Sequence, residues 1–240
     1  MTKIHLISGP RNISTAMMYS FGQRLGCHII DEPFYARYLD RTGFQHPGRM
    51  EVLNSMSSNW DEIRTELENV CRNNQEVFLK NMSHHLEDQF MDYLGNWKSV
   101  FLIRDPSKMI RSFSKVIHSP TIDDLGIVRQ AEIFHRVSEE KGEYPLVVDA
   151  DTFLVNPKRI LEEICKNLDI AFSDSMLSWI PGPRPEDGIW AKYWYKNVHL
   201  SSGFVRPETT VDSALDPKFS KLLDEVLPYY HQLLNHQIKE

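Results

Sequence analysis

Three things are scarce in this 240-residue chain, and each scarcity closes off a class of function. Cysteine is the first: Cys27, Cys71 and Cys165 are few, odd in number and far apart. They form no CxxC pair and no metal-ligand spacing, so neither a disulfide framework nor a zinc site is expected. Buried free thiols in a reducing compartment are the simplest reading. Long apolar runs are the second scarcity. No stretch approaches the roughly 18 apolar residues of a membrane span, and residues 1–8 lack the basic flank and long apolar core of a secretory leader. A cytoplasmic chain with no membrane attachment is expected. Positive charge is the third. Lys and Arg total 27 against 33 Asp and Glu, a net charge of −6, which argues against a general nucleic-acid binder. Any anion site must therefore be built locally, from a few basic groups and backbone N–H donors.

What is present reads as an ordinary globular chain, with 41% hydrophobic and 25% charged residues, long enough to bury a core without covalent staples. There is no internal repeat and no low-complexity segment, so residues 1–240 are read as one domain. Short continuous apolar runs alternate with stretches of helical period, the pattern of an α/β fold with a mostly parallel sheet. The runs lie at 4–8, 28–30, 77–79, 100–103 and 145–148. Helices are expected from Ser14 onward, with Met17, Met18, Phe21 and Leu25 on one side, and at 60–71, 106–116, 127–140, 157–168 and 218–234. Asn156 before Pro157 is a good helix start, a capping side chain followed by a proline in the first turn. Residues 172–215 are rich in Pro, Gly, Trp and Tyr and show little periodicity. A stretch that long without regular structure usually shapes a binding surface.

The first chemistry-bearing segment is Ser8-Gly9-Pro10-Arg11-Asn12-Ile13-Ser14-Thr15, between a buried strand and a helix. Such a turn aims unpaired N–H groups and the positive end of the helix dipole at one spot, where a phosphate or sulfate fits. Arg11 adds a planar fork suited to phosphate oxygens, and Ser14 and Thr15 can donate hydroxyls. The turn lacks the second glycine and the lysine of the GxxxxGK[ST] loop, which weighs against ATP or GTP. The second segment is Arg104-Asp105-Pro106 at the end of the fourth run, with Ser112 eight residues after the arginine. Strand-end arginine and helix serine can converge on one anion. Alone, an arginine such as Arg104 is more often an ion-pair partner, for example of Asp105 or Asp149.

Together these segments resemble the sulfotransferase family. Its members carry a Pro-Lys/Arg-Ser-Gly-Thr-Thr-like loop after the first strand and Arg-x-Pro followed by Ser, with Arg and Ser eight apart. The matching stretches here are Pro10-Arg11-Asn12-Ile13-Ser14-Thr15 and Arg104-Asp105-Pro106 with Ser112; Val147-Val148-Asp149 through Asn156-Pro157 to Leu168 resembles a third. The similarity spans roughly residues 4–170 in order. It implies a three-layer, P-loop NTPase-like sandwich. It also implies transfer of a sulfuryl group from 3′-phosphoadenosine-5′-phosphosulfate (PAPS) to a hydroxyl or amine of a small acceptor, releasing PAP with no metal. The first loop would hold the 5′-phosphosulfate, with Arg11, Ser14 and Thr15 on the leaving group, and Arg104 with Ser112 would hold the 3′-phosphate. Two departures stand out. The family's Ser-Gly is Asn12-Ile13 here, so a differently shaped loop is expected. The family's late Arg-Lys-Gly segment has no clear copy, and Tyr193-Trp194-Tyr195-Lys196, with Lys196 as the cation, and Ser201-Ser202-Gly203-Phe204 are the candidates to cover the nucleotide.

The acceptor's proton needs a base. Glu32, in Asp31-Glu32-Pro33-Phe34, lies at a position where some sulfotransferases use a glutamate. His84 and His85, just beyond the third run, have the better unperturbed pKa. Glu32 is slightly favoured on position, with His84 close behind. Lys80, ending the third run, could reach the sulfate or the acceptor, and Phe34, His46 and His85 are candidates to border the acceptor. Two rivals remain open. One is a magnesium-dependent ATP or GTP kinase or hydrolase, with Asp149 as the metal-binding aspartate. The other is a binding protein that keeps the nucleotide pocket and has lost catalysis.

Overall fold

The computed structural model describes residues 1–205 and 214–238. Five strands form its sheet: β1 (Thr2–Ser8), β2 (Cys27–Asp31), β3 (Glu76–Met82), β4 (Lys98–Ile103) and β5 (Leu146–Asp149). The order is β2-β3-β1-β4-β5, and every pairing is parallel. Each predicted apolar run is a strand, because a strand covered on both faces needs apolar residues at successive positions. Thus Phe78 packs with Met17, Met18 and Phe21 on one side, while its neighbours Val77 and Leu79 pack with Ile63, Leu67 and Phe134 on the other.

The helices are α1 (Ser14–Phe21), α2 (Tyr35–Thr42), α3 (Arg49–Ser55), α4 (Trp60–Asn73), α5 (Asp88–Leu94), α6 (Pro106–Phe113), α7 (Ile122–Leu125) and α8 (Ile127–Lys141). They continue as α9 (Ala150–Val155), α10 (Pro157–Asn167), α11 (Ala191–Trp194), α12 (Lys196–His199) and α13 (Ser220–Leu234). Helices α1, α9 and α10 cover one face of the sheet, and α4, α5, α8 and α13 the other. This is the expected three-layer α/β sandwich. Asn156 caps α10 by accepting from the Arg159 N–H at 3.2 Å, with Pro157 in the first turn. Among the described residues no helix is long and apolar enough to cross a membrane.

Two helix ends differ from expectation. The first helix stops at Phe21 and is capped by Gly22, so Leu25 leaves the core stripe and is fully exposed. The helix beginning at Pro106 ends at Phe113, not 116. The aperiodic stretch 172–215, of which 206–213 lie outside the described residues, folds into short turns of helix. Trp190, Ala191 and Tyr195 there pack on Tyr35, Tyr38 and Leu39 of α2.

From β1 the chain moves first to one side of the sheet and later to the other. The carboxyl ends of the strands around β1 therefore border a crevice, which is where open α/β sheets bind ligands.

Candidate active site

At this edge lies a cavity of about 410 Å³. It is lined by residues 10–16 after β1, Glu32 after β2, Lys80, Met82, His84 and His85 at the end of β3, and Arg104 after β4. Ser112 and Phe113 on α6, His46, and a wall from Trp190 to Val205 complete it.

The loop after β1 is held in an uncommon shape. Arg11 and Ile13 both have left-handed backbones, with φ of 61° and 62°, which β-branched residues rarely adopt. Asn12 between them is buried. Its Nδ2 donates to the Leu102 carbonyl at 2.7 Å, and its Oδ1 accepts from the Ser8 hydroxyl. Asn12 is thus the peg that fastens the loop to β4. A β-carbon on Gly9 would meet the Met109 side chain at 2.8 Å and the Leu125 carbonyl at 2.9 Å, so the loop's first residue has no room for a side chain. Ile13 takes a positive φ that a glycine supplies freely. Three of the four non-glycine residues with positive φ among those described, Arg11, Ile13 and Glu32, line this cavity. Strain of this kind persists where the surroundings over-determine it, commonly at functional sites.

At one end of the cavity two guanidinium groups meet. Arg11 Nε donates to Ser112 Oγ at 3.0 Å and its Nη1 to the Trp194 carbonyl at 3.1 Å. Arg104 Nη1 donates to the Arg11 carbonyl at 2.6 Å. Neither arginine is ion-paired among the described residues. Asp105 instead caps α6 through the Ser107 N–H at 2.7 Å, and Asp149 caps α9 through the Thr152 N–H at 2.9 Å. Burial, and then the neighbouring Arg104 charge, pull the Arg11 pKa down. Two adjacent half-buried cations without a carboxylate are an unpaired arrangement that an anion would relieve. Beside them the N-terminus of α1 presents its first N–H groups, and Ile13 supplies no side-chain cap.

At the other end sits a carboxylate–lysine cluster. Lys80 is fully buried, and its Nζ donates to Asp31 Oδ1 at 2.8 Å and to Glu32 Oε1 at 2.5 Å. Burial raises the Glu32 pKa against the opposing pull of Lys80. Burial pushes His84 down to about 3, and His85 well below its ordinary value. Both histidines are therefore neutral.

The profile of the family described as "Sulfotransferase domain" matches residues 2–236. The chain belongs to the sulfotransferase family. This sulfotransferase chain is 37% identical over 234 residues to the Arabidopsis thaliana protein named branched-chain-amino-acid aminotransferase-like protein 1, covering 97% of itself and 42% of that protein. A second Arabidopsis relative, protein 2 of that name, is 34% identical over 237 residues with 98% and 42% covered. The chain thus spans less than half the length of these relatives. Its fold is similar to that of a sulfotransferase from Alicyclobacillus acidocaldarius, with TM-score 0.59, 12% identity, and 100% and 97% of the two chains covered. It is also similar to the sulfotransferase domain of the Synechococcus PCC 7002 olefin synthase, with TM-score 0.50, 14% identity and 94% of each chain covered.

In this sulfotransferase chain, thirteen of the residues singled out from sequence line one cavity: Pro10 to Thr15, Glu32, His46, Lys80, His84, His85, Arg104 and Ser112. Two do not. Lys196 is exposed on α12 and outside the lining, whereas Ser201, Gly203 and Phe204 of the alternative covering stretch are part of it. Phe34 is fully buried in the core and stacks on Phe90 with ring centroids 4.2 Å apart. Replacing Phe34 with alanine is expected to cost about 3–5 kcal/mol of folding stability, the usual range for emptying a buried aromatic site. Chemical denaturation measures this, and nucleotide affinity of the folded fraction should stay unchanged.

Arg11 Nε reaches Ser112 and its Nη1 the Trp194 carbonyl, so its fork lies beside Ser112 and Arg104. Sequence alone assigns Asp31 no role of its own and places Tyr195 only in a stretch that is a candidate to cover the nucleotide; Trp194 and Tyr195 of that stretch line the cavity. Asp31 faces Lys80 directly in the parallel register of β2 on β3, and that strand pairing is the signal that would have found it.

Proposed function

We propose that this domain transfers the sulfuryl group of PAPS to a hydroxyl or amine of a small acceptor and releases PAP. The observation that carries the reading is that one cavity is lined both by an Arg11–Arg104–Ser112 cluster, without an ion pair among the described residues, and by the buried Glu32 carboxylate. The two guanidinium groups and Ser112 take the 3′-phosphate. The N-terminus of α1, with the Ser14 and Thr15 hydroxyls, takes the 5′-phosphosulfate, where its dipole stabilises the charge that grows on the leaving phosphate.

The base is Glu32. A histidine whose pKa lies near 3 holds a proton too weakly to remove one from an alcohol. A carboxylate raised by burial is moved toward the working range. In the reaction the acceptor O–H or N–H bond breaks and its proton passes to Glu32. The acceptor atom bonds to sulfur, and the bond from sulfur to the 5′-phosphate oxygen breaks, leaving its electron pair on PAP. Positioning and charge stabilisation supply most of the catalysis in such in-line transfers.

The ATP or GTP reading has less support, since Asp149, its magnesium ligand, is outside the cavity lining and is bound by the Thr152 N–H and the Tyr230 hydroxyl. A thermal-shift titration separates the two. PAP at a hundred times its Kd is expected to add about 2.7 kcal/mol, roughly 5–10 °C for a domain of this size, with or without magnesium. A shift given by ATP with magnesium and none by PAP overturns the proposal.

A further inference from the structure

The acceptor end of the cavity is backed by a buried cluster whose charges do not balance. Asp31 and Glu32 share one ammonium, Lys80, and all three are buried. Their bonding is unequal. Asp31 receives Lys80 at 2.8 Å, the Tyr195 hydroxyl at 2.7 Å and 2.9 Å on its two oxygens, and the Gly188 N–H at 3.3 Å. The Tyr195 oxygen in turn accepts from Lys80 at 2.6 Å and from Trp190 Nε1 at 3.1 Å. Among the described residues the Glu32 carboxylate has only Lys80 at 2.5 Å, with His85 Nδ1 3.7 Å away. Asp31 is fully served and outside the lining, whereas Glu32 is underserved and on the cavity wall.

We propose that Asp31 is the positioning residue of the acceptor base: its carboxylate, fixed by Tyr195, holds the Lys80 ammonium in common and so leaves Glu32 open to a proton. This rests on the reading of Glu32 as the base. With both carboxylates ionised the cluster carries one excess negative charge in a buried place, which is costly. A proton arriving on Glu32 removes that excess and leaves a neutral acid beside a closed Asp31–Lys80 pair. Without Asp31 the balance reverses. Lys80 and Glu32 would then form a complete pair, and a proton on Glu32 would strand the ammonium. The other groups facing Glu32 are the same with and without Asp31. His84 and His85 are held neutral by burial, and burial raises the Tyr35 and Tyr195 phenols beyond ionisation near neutral pH. His46, bonded through Nδ1 to the Tyr35 hydroxyl at 2.9 Å, also draws the Glu32 pKa down, equally with and without Asp31.

The test reads Glu32 without turnover. In the full chain labelled with ¹³C at the glutamate side-chain carboxyl, the Glu32 resonance is assigned by its loss in Glu32→Gln and followed by NMR against pH. Asp31→Asn is expected to lower the Glu32 midpoint by about 1–2 units, the effect of a close charge, and Lys80→Met to raise it. A midpoint that stays in place or rises in Asp31→Asn overturns the inference. Should that variant fail to fold, the double variant Asp31→Asn/Lys80→Met keeps the wild-type charge count. Its midpoint is expected about 1–2 units below that of Lys80→Met alone, and equal midpoints overturn the inference. Failure of the base reading looks different: Glu32→Gln would keep full transfer activity while the Asp31→Asn shift stood.

Discussion

Replacing Arg104 with alanine is expected to weaken PAP binding by about 2–5 kcal/mol, roughly thirty-fold to several thousand-fold in Kd. Isothermal titration with PAP measures it. The effect should be large for two reasons. The guanidinium is one of two cations that the proposed 3′-phosphate site offers among the described residues, and the same side chain holds the Arg11 carbonyl at 2.6 Å in its left-handed turn. Removing it both subtracts a charge and loosens the loop that leads into α1. Ser112→Ala, which deletes one neutral hydroxyl and the Arg11 contact at 3.0 Å, should cost nearer 1 kcal/mol. Equal losses in the two variants, or unchanged affinity in Arg104→Ala, would remove the basis for placing the 3′-phosphate there.

Glu32→Gln should leave PAP binding intact and lower kcat by about 10²–10⁴, the contribution typical of a positioned base. The sign of the pH dependence follows from the buried carboxyl. Only the ionised form can accept a proton, so transfer activity is present at high pH and is lost as pH falls through the Glu32 pKa. Burial raises that pKa above the ordinary 4.5, so the acid limb should lie above the usual glutamate range and vanish in Glu32→Gln. His84→Ala should keep the limb. A limb that follows His84 instead would transfer the role to the imidazole.

The strands were legible because continuous apolar runs have few alternatives in a sheet covered on both faces. The meeting of the two arginine segments was legible too, since Gly9-Pro10-Arg11 and Arg104-Asp105-Pro106 each follow a strand and both must emerge at its carboxyl edge. The direction of the Arg11 fork was not. Its partner Ser112 lies 101 residues away, and local spacing around residue 11 carries no information about it. The Lys80 cluster was half visible. Strand-end acids and a strand-end lysine could be read from the chain, but their contact depends on β2 pairing with β3, and Tyr195 comes from a segment with no period to follow. Phe34 shows the converse. It adjoins the acidic Asp31-Glu32 pair in sequence, yet the turn at Glu32, with φ of 43°, sends it into the core beside Phe90.

The turn at Ile13 bears on how such domains are found in genomes. Its bend is secured by Asn12 on β4 and by hydrophobic packing of Ile13 on the α1 side of the sheet, not by a missing β-carbon. A pattern search that demands glycine there would pass this chain by. The more faithful query is a buried strand, a pegged turn and an uncapped helix, whatever side chain occupies the bend.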